Sequence, residues 1–235
     1  MKRFWDNAEV AASGEGWNVL LDGRPVRLPG GAPLCLGASA LAGAIRAEWQ
    51  TAGATKGGEM SYADVPLTRL AGTAQERISP NPEPVALELA RYAETDLLCY
   101  RAAEPEALVR RQAERWQPWL DWAERRFGAR FRVTTGVVHV LQDPGALALL
   151  ARAVAAQAPL ALAALSVAVP ALGSLVLALA MAEGQLGAAE AHSLSILDET
   201  FQEESWGRDP LALGRRRRIA ADLEVAGRLL DLSRG

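Results

Sequence analysis

The densest cluster of polar side chains in the chain is Asp198-Glu199-Thr200-Phe201-Gln202-Glu203-Glu204-Ser205-Trp206-Gly207. Read as a helix, it sets Glu199 and Glu203 one turn apart on one face. Asp198 and Gln202 stand one turn apart on the adjacent stripe, while Leu197 and Phe201 point the other way. Carboxylates at this spacing admit three readings. They can be the acid and base of a hydrolase or transferase, an acidic recognition surface, or a plain solvated helix face. Catalysis needs a pocket partner, and the spacing reveals none. Trp206 and Gly207 close the segment, and a Trp beside fixed charges is a usual interface ingredient. The basic run Arg215-Arg216-Arg217-Arg218 spreads around a helix circumference, so its simplest use is to neutralise neighbouring acids, those at 198–204 among them.

Other chemistries lack their residues. His139 and His192 are the two histidines, and neither has a second ligand at helical or turn spacing, so no metal site is expected. Gly14-Glu15-Gly16 lacks the third glycine and the following Lys of a phosphate cradle and reads as a turn. No Gly-x-Ser-x-Gly elbow occurs. Cys35 and Cys99 are far apart and read as free thiols in small core positions of a protein from a reducing compartment. No catalytic residue and no cofactor is expected. A formal net charge of −3 argues against a nucleic-acid partner.

Residues 153–182 carry no charge and have the length of a membrane span. They are Ala-rich, broken by Pro159, Pro170 and Gly173, and lack Trp or Tyr at their ends. Two or three short, mostly buried helices are therefore expected, with no membrane insertion. The start, Met1 to Asp6, shows no apolar leader, so a bacterial cytoplasmic chain, or a mature organellar one, is expected.

The elements that must carry these residues fall into two parts. In the first, Trp17–Leu21 and Pro25–Leu28 flank Asp22-Gly23, a strong hairpin signal because both turn positions need a positive φ. Phe4–Val10 and Leu34–Leu36 are candidate neighbouring strands. Ser39 reads as an N-cap, Leu41, Ala42, Ile45 and Trp49 as an apolar helical stripe, and Gly53 as its stop. Trp49 is expected to be a buried structural residue. Leu67, Leu70, Ala71, Ala74 and Ile78 form a second stripe that starts near Pro66. The Pro-rich segment Ser79–Pro84 is the best boundary in the chain.

The second part is helical almost throughout. Val85, Leu89, Ala93, Leu97 and Tyr100 read as one helical face. A helix opening at Pro105 carries Leu108, Trp116, Trp119, Ala123 and Phe127 and should be kinked or split by Pro118. Of Trp116, Trp119 and Trp122, two are expected in the core and Trp122 partly exposed. Residues 130–140 read as a short extended piece. A helix after Gly187 turns Leu194, Leu197 and Phe201 inward. Asp209-Pro210 caps a last helix bearing Ile219, Leu223, Ala226 and Leu230. The expected class is α+β: a small N-terminal α+β domain with antiparallel strands (1–80) and a larger all-helical C-terminal domain (83–235).

One set of runs is familiar. Arg3-Phe4-Trp5, Leu21-Asp22-Gly23-Arg24-Pro25-Val26, Ala44-Ile45 with Glu48-Trp49, and Pro66-Leu67-Thr68-Arg69-Leu70-Ala71 occur in order. Glu94-Thr95-Asp96-Leu97-Leu98-Cys99-Tyr100-Arg101, Trp116 through Trp122, Gly173-Ser174-Leu175-Val176-Leu177, and Asp198-Glu199-x-Phe201-Gln202 with Trp206-Gly207 follow. The series resembles the ATP synthase assembly chaperones that bind the alpha subunit, found in mitochondria and alphaproteobacteria, over nearly the whole chain. It departs from that pattern at the Gly-rich 55–63 segment and at Val65, where Met is expected before Pro66.

The resemblance implies a non-enzymatic chaperone, monomeric when free, that protects unassembled alpha subunit until beta subunit replaces it. An unassembled subunit exposes an interface that invites aggregation. The implied client-binding residues are Asp198 and Glu199, with Glu203, Trp206 and Trp122 beside them; Asp96 in its run is read as structural. The competing reading is a hydrolase or transferase using Asp198, Glu199 and Glu203.

Overall fold

The computed structural model describes residues 1–14, 16–207 and 210–234, and the side chains of all these except Ser205 and Trp206. Its fold is α+β: one antiparallel sheet near the N-terminus, followed by helices. Two compact units are present. The first comprises Met1–Pro82, Ala158–Ala164 and Arg228–Gly235, the second Glu83–Gln157 and Leu165–Gly227.

In the first unit, β1 (Ala8–Ser13), β2 (Gly16–Leu21) and β3 (Arg24–Pro25) form a meander in which Ala8 lies opposite Leu21 and Leu20 opposite Pro25. The turn into β3 holds Asp22 at φ 46° and Gly23 at φ 78°, the two positive angles that the Asp-Gly pair supplies. Asp22 also accepts hydrogen bonds from the amides of Asp6 and Asn7, which hold its carboxyl below the usual range. The first strand starts at Ala8 rather than Phe4. Leu34–Leu36 contributes paired amides, Leu34 to Val26 and Leu36 to Trp17, without becoming a full strand.

Helix α1 (Ser39–Thr51) covers the sheet, burying Leu41, Ala42, Ala44, Ile45 and Trp49. Its N-cap is Ala38 with no side-chain hydrogen bond, so Ser39 is the first helical residue and not the cap. Helix α2 (Pro66–Thr73) opens on Pro66 and runs into a π-helical turn, Ala74–Ile78. Its free N-terminal amides are satisfied from α1. Glu48 accepts from Leu67 N at 2.7 Å and from Thr68 N and Oγ1 at 3.1 Å, while burial pushes its carboxyl up.

The C-terminal end of α1 is closed by a buried cation. The Arg3 guanidinium donates to the carbonyls of Gln50, Ala52 and Ala54, and also to those of Trp5 and Asp6. The segment that follows is stitched to the same residue, Arg3 N to Gly58 O at 2.9 Å and Gly57 N to Arg3 O at 2.7 Å. A Cβ on Gly58 would stand 1.9 Å from Gly53 O. Gly58→Ala must therefore pry this loop open and should cost on the order of 2 kcal/mol. Gly43→Ala, in the interior of α1 with open space around it, should instead gain about 0.5–1 kcal/mol. Urea titration of the two variants checks the opposite signs.

Among its described residues the second unit is helical apart from one parallel pair of short strands. Helix α3 (Glu83–Ala90) gives way to 3₁₀ turns at Arg91–Thr95 and Leu97–Cys99, then β4 (Tyr100–Arg101). The expected single face from Val85 to Tyr100 is thus broken at Asp96, whose extended backbone (ψ 130°) caps the second turn. Helix α4 (Glu106–Phe127) is unbroken through Pro118. Pro118 and Glu114, whose carbonyl loses its amide partner, are both exposed, on a face open to solvent. Trp116 is fully buried, whereas Trp119 and Trp122 are both half-buried, so one rather than two of the three sits in the core.

β5 (Thr134–Thr135) pairs with β4 in parallel. Helices α5 (Pro144–Ala155), α6 (Pro159–Leu172) and α7 (Leu175–Ala182) follow, with all of Leu175–Met181 buried. Among the described residues no helix is long and apolar enough to cross a membrane. The expected continuous helix after Gly187 is two, α8 (Ala188–Ser195) and α9 (Leu197–Trp206), divided at Ile196. Helix α10 (Pro210–Ser233) ends the chain, and its expected cap, Asp209, lies outside the described residues. Of the two free thiols Cys99 is buried and Cys35 exposed, so only one is a core residue.

Candidate functional site

Helix α9 has no side-chain N-cap, and Asp198 and Glu199 fill its first turn, where negative charge complements the amide dipoles. Leu197 is buried and Phe201 half-buried beneath the acids. The face that remains is not uniform, because its carboxylates do different work.

Asp198 is half-buried. Its Oδ1 accepts from Gln112 Nε2 at 2.7 Å. Gln112 is fully buried on α4, its Oε1 accepting from Ala102 N at 2.7 Å and its carbonyl from Arg101 Nη1 at 2.9 Å. Arg101 also donates to Leu98 O and lies over the Trp116 ring, 5.4 Å from its centroid. Burial lowers the pKa of Arg101, and Asp198 partly offsets this. Trp116 Nε1 donates to Leu194 O at 2.9 Å, so α4 holds both α8 and the start of α9. Asp198 is therefore less open than helix geometry alone suggests.

Two more acids are paired. Glu203 meets Arg216 at 2.8 Å with each side chain 15% exposed, which realises the expected neutralisation of the acidic run by the arginine run at one position. Glu204 receives both Nη atoms of Arg111, at 2.6 and 2.9 Å, and Arg111 stacks over Phe201. This fork holds the Glu204 carboxyl below its usual range, opposite to what a general acid needs. Glu199 and Gln202 are exposed, and Glu199 makes no hydrogen bond or ion pair among the described residues. Behind them His192 is half-buried, with Nε2 unpaired among the described residues; burial, then Arg216, lowers its pKa.

The remaining sequence-selected residues lie elsewhere. Trp122 is packed edge-on between Trp119 and Phe127 of its own helix and makes no hydrogen bond to α9 among the described residues. The Trp206 side chain lies outside the described residues. Trp49 is 8% exposed in the first unit, its Nε1 donating to Thr68 Oγ1. Asp96 is fully buried and accepts from Leu98 N, Ser174 Oγ and Val176 N, all at 3.0–3.1 Å, joining the 3₁₀ turn to the N-terminus of α7. Burial, outweighing those three donors, pushes its carboxyl up to about 6.

Sequence reasoning passed over Gln112, Arg111 and Arg101. Gln112 left a signal: it stands at four-residue spacing between Leu108 and Trp116 on the α4 stripe, and a polar residue in an apolar stripe needs a partner. Among the described residues no group of His, Cys, Asp and Glu is placed to hold a metal ion.

A family model described as ATP12 chaperone protein matches residues 2–124. The solved structure of Atp12 from Paracoccus denitrificans is 44% identical, with 99% of this chain and 98% of that chain covered and a TM-score of 0.92. An Asp-to-Lys mutant of the same Atp12p gives 43% identity, coverage of 99% and 97%, and a TM-score of 0.92. A solved protein from Agrobacterium tumefaciens is 40% identical, covering 100% of this chain and 86% of its own, with a TM-score of 0.91. The family model ends before α9, whereas the full-length structural matches extend over it. With half of the chain matched by the family model and nearly all of it by solved relatives, this chain belongs to the ATP12 chaperone protein family.

Proposed function

We propose that this chain is an ATP synthase assembly chaperone that binds unassembled alpha subunit, keeps it from aggregating and releases it to beta subunit. The observation that carries this reading is the division of labour on α9. Asp198, Glu203 and Glu204 are each tied to the same unit, by Gln112, Arg216 and Arg111. That anchoring fixes a short helix whose remaining acid, Glu199, faces solvent beside Gln202. A helix presenting an exposed carboxylate suits recognition of a basic or hydrogen-bond-donating patch. Membership of a chaperone family supports a binding role over hydrolysis or group transfer, as does the depressed Glu204 carboxyl. On this reading the chain acts as a cytoplasmic monomer without nucleotide or metal, and must bind its client firmly enough to protect it yet yield to beta subunit.

The test is Glu199→Lys. An exposed side chain with no hydrogen bond or ion pair among the described residues changes stability by about 0.5 kcal/mol or less, so the melting curve should hold. A reversed charge in an interface costs about 2 kcal/mol or more, so suppression of light scattering by purified, aggregating alpha subunit should fall at least tenfold in potency. Full protection by a folded Glu199→Lys variant would move the binding surface off α9. Asp198→Ala is a poorer probe because it also removes the acceptor of buried Gln112.

A further inference from the structure

The first unit carries a groove that the reading of α9 does not use. Two clefts of about 440 and 380 Å³ adjoin, sharing Val26, Arg27, Trp49 and Tyr62 in their walls. Both fall inside the roughly 300–1,000 Å³ of ordinary ligand sites. The floor is apolar, with Leu21 and Val26 in one cleft and Val26 and Leu28 in the other. Phe4 and Tyr62 stand at the first cleft with 60% and 51% of their surface open.

The rim is strongly one-signed. Lys2, Arg24 and Arg27 line the first cleft with no acid, and Arg27, Arg69 and Arg77 line the second with Glu76 alone. Glu76 is already engaged by Gly30 N at 2.9 Å, and Arg27 donates to Gly31 O. Arg24, Arg69 and Arg77 are exposed and have no hydrogen bond or ion pair among the described residues. In a chain of net charge −3, the exposed Arg24, Arg69 and Arg77 on one apolar groove offer unneutralised positive charge to an acidic partner, while Lys2 also faces Glu59 and Asp64 in the neighbouring cleft.

We propose that this groove is a docking site for an extended acidic peptide segment of a partner protein, one that alternates carboxylates with aliphatic or aromatic side chains. The carboxylates meet Arg24 and Arg69, one beside each cleft, and the apolar side chains enter over Val26 and Trp49 between Phe4 and Tyr62. The site is separate from α9, in the other unit, and does not depend on the identity of the client there.

The probe is a fluorescein-labelled peptide, Glu-Leu-Asp-Phe-Glu-Leu-Asp-Phe, read by anisotropy with the full chain at low ionic strength, about 50 mM, and again at about 500 mM. Saturable binding that weakens at high salt is expected. A peptide with Lys replacing every acid should not bind, and one with Ser replacing Leu and Phe should bind at least tenfold more weakly. The variant Arg24→Glu with Arg69→Glu, both exposed positions, should keep the melting temperature and lose at least tenfold in affinity. Equal affinity of that folded variant, or equal binding of the Lys peptide by the wild type, would overturn the proposal. So would a dimer by sedimentation that becomes monomeric in the variant, since the occupant would then be a second copy. No alpha subunit enters this assay, so its failure leaves the α9 reading standing, and the Lys- and Ser-peptide controls decide the matter even if the variant misfolds.

Discussion

Asp96→Ala should destabilise the second unit more than any other polar substitution in it, by on the order of 4 kcal/mol. The carboxylate is fully buried and receives Leu98 N, Ser174 Oγ and Val176 N. Truncation leaves three buried donors without an acceptor, each costing about 1–3 kcal/mol. Ser174 in turn accepts from Leu177 N, so the cap of α7 loosens with it. Asp96→Asn keeps one acceptor oxygen and should cost less. The pH dependence has a definite sign. The folded carboxyl is raised from 3.8 to about 6, so the folded state holds this proton more tightly than the unfolded chain. The contribution is then fully present below about pH 4 and is lost as pH rises through about 6, by on the order of 3 kcal/mol. Urea titration of wild type and Asp96→Asn across that window should show the difference between them shrinking as pH rises. A pH-independent difference would place the proton elsewhere.

In the first unit the largest effect is expected from Trp49→Arg. Trp49 Nε1 donates to Thr68 Oγ1, its carbonyl accepts from Trp5 Nε1, and the two indoles meet edge to face at 5.1 Å. Arg at this position removes that packing and sets a second guanidinium near buried Arg3, which itself lies over the Trp5 ring. Desolvating the charge and losing the ring should together cost on the order of 3 kcal/mol or more. Trp49→Phe keeps an aromatic surface and gives up the bond to Thr68, for about 1–2 kcal/mol. Circular dichroism during urea unfolding should rank wild type, Trp49→Phe and Trp49→Arg in that order. An unchanged midpoint for Trp49→Arg would mean that this core tolerates a charge.

Much of the local structure was legible because its causes lie within a few residues. Asp22-Gly23 turns the chain since few other pairs accept two positive φ values, and Pro66 starts a helix because it lacks the amide that a first turn leaves free. Leu41, Ile45 and Trp49 bury one face of α1 through their spacing alone. The acidic run of α9 was legible as a polar helix for the same reason. What each acid does was not. Asp198 answers to a glutamine 86 residues earlier, and Glu204 to an arginine 93 residues earlier. Neither spacing leaves a periodic mark.

The sequence by itself determined the turns, the helix-forming stripes and the motif series that places the chain among chaperones. The tertiary structure alone decided that Pro118 lies on a face open to solvent, and that Cys35 is exposed. It alone decided that residues 158–164 and 228–235 return to the first unit, and that five cations border one groove. The division follows from range. Backbone preference and amphipathic period act over a turn or two of chain, whereas burial, charge pairing and clefts arise only when segments tens of residues apart are brought together.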